Sequence, residues 1–186
     1  MQRILVALAL ISTIILAGCA KPRVYGHFAD NPPGASYRLA AGDRLRIIVF
    51  GQDSLSNTYS VDTAGNVSMP LIGSVRAQGR SPAALASQIE ALLRNGFVRE
   101  PRVSVEVDAY RPFFVLGEVT TAGQYPYVND LTVQKAIAIA GGFAPRAYRR
   151  NVNMTRVIDG RPVTIAVPLN HLVRPGDTIM VRERFF

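Results

Sequence analysis

Among the 186 residues there is one cysteine, there are two histidines, and Lys21 and Lys135 are the only lysines among 21 basic side chains. Each scarcity excludes something. A single thiol, Cys19, can close no internal disulfide and build no cysteine-rich zinc site. His27 and His171 stand alone in the sequence, and no His-x-x-x-His pair, Gly-x-Ser-x-Gly elbow or P-loop occurs. The 13 carboxylates fall mostly in turns or on alternating strand faces, which identifies no acid–base pair. No catalytic, cofactor-binding or metal-binding residue is assigned on this reading, and the chain is expected not to be an enzyme. After residue 18, no apolar run is long enough to span a bilayer.

What is there begins at the N-terminus. Arg3 is followed by an apolar stretch, Ile4 to Ile15, broken only by Ser12 and Thr13, and then by Leu16-Ala17-Gly18-Cys19. A basic start, a short apolar core and a small-residue end describe a secretory signal. A helix over residues 4–18 would rise about 22 Å, short of the ~30 Å hydrocarbon core, which argues against an uncleaved membrane helix. Leu-Ala-Gly-Cys resembles the bacterial lipobox. That resemblance implies that Cys19 takes a diacylglycerol, that residues 1–18 are removed as a lipoprotein signal peptide, and that the new amine is acylated. Two or more chains hold a protein stably on a membrane, whereas one does so marginally. Ala20 in place of Asp is compatible with sorting to the outer membrane.

The formal charge is +8, carried almost wholly by arginine. Arginine grips carboxylates and phosphates with a planar fork that lysine lacks. A basic exported protein could meet a lipid head group or an acidic polymer. Export argues against nucleic acid as a partner.

Residues 19–36, with three prolines and two glycines and no periodicity, read as a tether. The fold is expected to start at Tyr37. Leu45, Ile47 and Val49 alternate with Arg44, Arg46 and Ile48, which predicts a strand after a turn at Ala41-Gly42-Asp43. Residues 61–73 predict two strand edges around Ala64-Gly65-Asn66, followed by a Pro-Leu-Ile-Gly connection. Ser81 to Gly96 is the clearest helix, with Ser81 as N-cap, Pro82 in the first turn and Leu85, Ile89, Leu92 and Leu93 as one apolar stripe. Val103, Val105 and Val107 predict a strand with one wet face. Tyr110-Arg111-Pro112 breaks the pattern.

A second unit is expected beyond that break. It comprises a strand at 113–119, a turn through Gly123 into another strand, and a short helix capped by Thr132 and ended by Gly141-Gly142. A hairpin follows at 151–157 and 161–167, turning at Asp159-Gly160, and then a closing strand within 173–186. The fold class is therefore α+β, in two small domains. Gly42-Asp43 and Gly176-Asp177 form an internal echo: each precedes an alternating strand. It is read as turn chemistry, with a paired-carboxylate site as the alternative. Arg146, Arg149, Arg150 and Arg156 flank Tyr148 and make the sharpest polar feature. They suit an acidic sugar, a lipid phosphate or a partner subunit; a solvated loop is the competing reading.

Taken in order, these pieces resemble a known family. The Gly-Asp strand at 42–49, Asp62 to Gly65 before Pro-Leu-Ile-Gly at 70–73, Gly79 ahead of the helix, and Pro-Arg-Val-Ser-Val-Glu-Val at 101–107 resemble the export domain of Wza-like polysaccharide-export proteins. Val-Leu-Gly-Glu-Val at 115–119, Gly123, Ala140-Gly141-Gly142 and Pro-Gly-Asp at 175–177 resemble the soluble-ligand-binding β-grasp (SLBB) domain that follows it. The expected division is signal peptide 1–18, tether 19–36, export domain 37–109 and SLBB domain 110–186.

The resemblance implies a lipid-anchored component of a homo-oligomeric ring on the periplasmic side of the outer membrane. It would pass capsular or exopolysaccharide outward, with an inner-membrane polysaccharide co-polymerase as partner and no covalent chemistry. Long members of the family carry more β-grasp domains and a C-terminal amphipathic pore helix. The sequence ending at Phe186 shows neither, which suggests a ring working with a separate outer-membrane barrel. Arg146, Arg149 and Arg150 are the candidate contacts to an acidic polysaccharide. The alternative function is a monomeric lipoprotein adaptor that binds a ligand or peptidoglycan through its β-grasp domain.

Overall fold

The computed structural model describes residues 37–158 and 160–184. The signal, the tether with Cys19 and His27, and Asp159 lie outside the described residues. The order of elements is strands β1 (Arg44–Val49), β2 (Asn57–Ser60), β3 (Asn66–Met69) and β4 (Gly73–Arg76), helix α1 (Pro82–Arg94) and strand β5 (Val103–Ala109). Then come β6 (Phe113–Gly117), β7 (Gly123–Tyr125), helix α2 (Val133–Ile139), β8 (Asn151–Ile158), β9 (Arg161–Pro168) and β10 (Thr178–Val181). The fold is α+β in two domains, as expected.

The first domain is a three-stranded antiparallel sheet, ordered β2-β1-β5, with a separate β3-β4 hairpin and α1. Leu45, Ile47 and Val49 point inward from β1 and Val105 from β5, as the alternation requires. Ser81 caps α1 by accepting from the Ala84 amide at 3.2 Å. Leu85, Ile89 and Leu93 are fully buried, and each contributes roughly 1.5–3 kcal/mol by leaving water. Leu92 does not belong to that stripe. It is 37% exposed, because the i, i+4, i+8 row of this helix faces the sheet and its neighbour at 92 is turned outward. The Pro-Leu-Ile-Gly stretch is also more than a connection. It forms the tip of the β3-β4 hairpin, where Met69 pairs with Gly73 and Leu71 takes φ of 69°.

The second domain is a mixed five-stranded sheet, ordered β7-β6-β10-β8-β9. The central pair β6 and β10 is parallel and the other pairs are antiparallel. Helix α2, capped by Thr132, lays Val133, Ala136 and Ile137 against Phe113, Val115, Val152, Met154 and Ile179 of the sheet. A helix laid across a mixed sheet is the β-grasp arrangement. Among the described residues no helix is long and apolar enough to cross a membrane.

Candidate functional site

Two buried carboxylates organise the polar interior. The turn before β1 puts Gly42 at φ +90°, and the Asp43 side chain bends back so that Oδ2 accepts from the Ala40 amide at 2.9 Å. The turn before β10 repeats this: Gly176 takes φ +86°, and Asp177 Oδ2 accepts from the Arg174 amide at 2.7 Å. Glycine tolerates that backbone and aspartate satisfies the amide three residues back. Each carboxylate is buried and each receives one arginine. These occupied pairs support the turn reading of the echo over a paired-carboxylate site.

The two arginines differ in origin. Arg156 comes from β8 and grips Asp177 side-on, Nε to Oδ1 at 2.9 Å and Nη2 to Oδ2 at 2.7 Å. It is 5% exposed. By sequence it groups with Arg146, Arg149 and Arg150; in the fold it leaves that cluster for the interior, because β8 alternates and position 156 faces the core. Arg111 comes from the break between the domains. Its backbone amide donates to Asp43 Oδ1 at 3.1 Å, and its Nη1 lies 3.4 Å from the same oxygen and 2.8 Å from the Tyr37 hydroxyl. Tyr37 in turn donates to Asp43 Oδ2 at 2.7 Å.

Arg111 also touches the second turn. A Cβ on Gly176 would stand 2.7 Å from Arg111 Nε, so a larger residue there would strain the φ +86° backbone and push the arginine aside. The Gly176 amide donates to the Pro112 carbonyl at 3.0 Å. Edge-on aromatic contacts run alongside, from Tyr37 to Tyr110 at 4.9 Å and from Tyr110 to Tyr127 at 5.4 Å. Burial pushes the Tyr37 phenol far above its ordinary value, with Arg111 pulling the other way; burial also raises Tyr127. The segment read in sequence as a simple break is thus the fastening between the domains.

The surface candidates gather elsewhere. Residues 146–150 run beside 182–184: Tyr148 donates its amide to the Arg182 carbonyl at 2.8 Å and Arg184 to the Arg146 carbonyl at 2.7 Å. This short ladder keeps Arg146, Arg149 and Arg150 together, all exposed, and adds Arg182 and Arg184, which the sequence reading missed. Arg182 lies over the Tyr148 ring at 5.0 Å and bonds the Asn151 amide oxygen; Arg149 lies over Phe143 at 5.8 Å. One carboxylate interrupts the ladder, Glu183, 3.1 Å from Arg146. Both partners of that pair are exposed, so it contributes about 0–1 kcal/mol and leaves the ladder cationic. Such an edge can attract carboxylates or phosphates, weakly and in a salt-dependent way.

His171 is buried, and its carbonyl accepts the first amide of α2 at 3.0 Å. Among the described residues no group of three or more His, Cys, Asp or Glu is placed to hold a metal ion.

Comparison with known proteins agrees with this architecture. Residues 31–108 match the polysaccharide biosynthesis/export protein family, and residues 112–166 match the SLBB domain. The chain is 33% identical over 147 residues to the exopolysaccharide production protein ExoF of Rhizobium meliloti, covering 73% of this chain and 32% of that protein. It is 28% identical over 185 residues to the EPS I polysaccharide export outer membrane protein EpsA of Ralstonia nicotianae, covering 80% of this chain and 48% of that one. The chain thus spans less than half the length of these curated relatives.

Proposed function

The chain belongs to the polysaccharide biosynthesis/export protein family, and on that footing we propose that it is one subunit of a homo-oligomeric ring that passes capsular or exopolysaccharide through the periplasm to the outer membrane. The observation that carries this reading is the order of two matched domains, export then SLBB, in a chain whose relatives are named for exopolysaccharide production and export. The protein performs no covalent step in this scheme. It is anchored by lipid on Cys19, faces the periplasm and receives polymer from an inner-membrane co-polymerase.

Physical features support the role. A small domain buries only about 60% of its chain surface, so packing on neighbouring copies is favourable. The fastening at Arg111 ties the two domains into one building block. The arginine ladder would meet acidic groups of a passing polymer, and contacts that are individually weak guide a chain without stalling it.

Native mass measurement of the lipidated protein tests the assembly. A discrete oligomer agrees with the ring; a monomer at high concentration favours the adaptor reading. Cys19→Ser should release the protein from the outer-membrane fraction, and normal fractionation would remove the anchor from the proposal.

A further inference from the structure

The first domain carries a second polar surface, far from the arginine ladder in sequence and, unlike it, without net charge. A groove of about 520 Å³ runs over the end of β1 and the start of β2. Its walls include Arg46, Phe50, Asp53, Ser56, Asn57 and Thr58. The frame is built: Ser56 Oγ accepts from the Val49 amide at 3.0 Å and donates to the Gln52 carbonyl at 3.1 Å, which ties the β1–β2 connection to the strand end. The Phe50 side chain stands at the lip, 62% exposed, so its ring is open to a ligand.

The polar groups around that ring are available. Among the described residues, neither the Arg46 guanidinium nor the Asp53 carboxylate makes a hydrogen bond or ion pair. Asn57 uses its Oδ1 on the Thr58 amide at 2.7 Å and keeps its side-chain NH₂. The groove thus offers one apolar face, a planar donor fork, a planar acceptor pair and an amide. Its one cation and one anion cancel, so it has no preference for a charged ligand. A lipid tail or an amphipathic helix would need a continuous apolar floor, and this surface offers only the Phe50 ring and the half-buried Ile48, since Ile47 and Val49 are buried in the core. A pyranose matches: its C–H face stacks on an aromatic ring, and its vicinal hydroxyls suit the paired atoms of arginine, aspartate and asparagine.

We propose that the groove beside Phe50 is a subsite for a neutral hexose unit of a polysaccharide, distinct from the arginine ladder that would meet acidic units. The choice of polymer as the source of that hexose rests on the export reading above; the groove chemistry does not. An open site with one stacking ring binds weakly, which suits a chain that must keep moving.

The test uses the mature protein, labelled with ¹⁵N, titrated with neutral hexasaccharides of α-glucose, β-glucose, galactose and mannose. At least one should shift the amides of Phe50, Gly51, Asn57 and Thr58 saturably. Phe50→Ala should weaken that binding about tenfold, and Phe50→Tyr, which keeps the ring, should leave it near wild type. Phe50 is mostly exposed, so the thermal midpoint of both variants should match wild type and show that the fold is intact. If none of the four sugars shifts these amides, or if the shifts survive in Phe50→Ala, the subsite is refuted. The parent reading fails separately: unchanged polymer secretion by cells lacking the chain would remove export, whatever the groove binds.

Discussion

The two Gly-Asp turns are nearly the same device with different consequences. Both put glycine in the left-handed region, both bury an aspartate that satisfies the amide three residues back, and both open a strand. At Asp177 the arginine arrives from a neighbouring strand of the same sheet, so the pair is internal to one domain. At Asp43 the arginine arrives from the connection at 110–112, so the pair spans the boundary. A local motif therefore sets the turn, while the origin of its partner decides whether it stabilises a core or joins two of them. Geometry differs accordingly: a tight bidentate grip inside the sheet, and a looser 3.4 Å contact shared with Tyr37 at the junction.

Breaking the internal pair should cost most. Asp177→Asn removes the charged half of the bidentate pair that holds the buried Arg156 guanidinium, a change expected to destabilise the protein by about 3–5 kcal/mol. Urea unfolding would read this, and a loss below about 1 kcal/mol would mean that Asp177 acts only as a turn residue.

Arg111→Ala should cost less, about 1–3 kcal/mol, because Asp43 keeps two amide donors and the Tyr37 hydroxyl. Its specific effect should be on the junction. Proteolysis should move to residues 110–112 and small-angle scattering should broaden, while each domain stays folded. Scattering identical to wild type would show that the backbone bonds of residues 111 and 112 and the tyrosine contacts hold the boundary without the guanidinium.

The smallest effect concerns pH. The Tyr37 phenol titrates above its ordinary value of 10.0 in the folded protein, so above pH 10 the unfolded chain loses that proton first. The folded state then binds more protons, and stability falls as pH rises from 10 toward the raised folded value. Tyr37→Phe should flatten part of that fall, with Tyr59 and Tyr127, also raised by burial, supplying the remainder. Equal slopes for variant and wild type between pH 9 and pH 11 would contradict the buried placement of Tyr37.

Much of this was legible in the sequence where the signal is local. The capped helices, the alternating strands and the two Gly-Asp turns depend on neighbours within a few residues, and they fold as read. Leu92 was misplaced because two adjacent leucines both fit an apolar stripe, and only the sheet decides which one it covers. Arg156 was read as surface because its partner lies 21 residues away. Arg182 and Arg184 were missed for the same reason: pairing with 146–150 is a long-range event. Arg111 looked like a break because its function is a contact across 68 residues. The groove at Phe50 had no sequence signal at all, since an exposed phenylalanine next to polar residues is unremarkable until a fold encloses space beside it.

The central claim is that this chain is needed to move polysaccharide out of the cell. The most direct measurement is the amount of surface polymer made by cells lacking the chain, with complementation by wild type and by Arg146→Gln, Arg149→Gln, Arg150→Gln combined. The account predicts background levels without the chain, full recovery with wild type, and partial recovery with the triple variant when the polymer is acidic. Undiminished surface polymer in cells lacking the chain would contradict it.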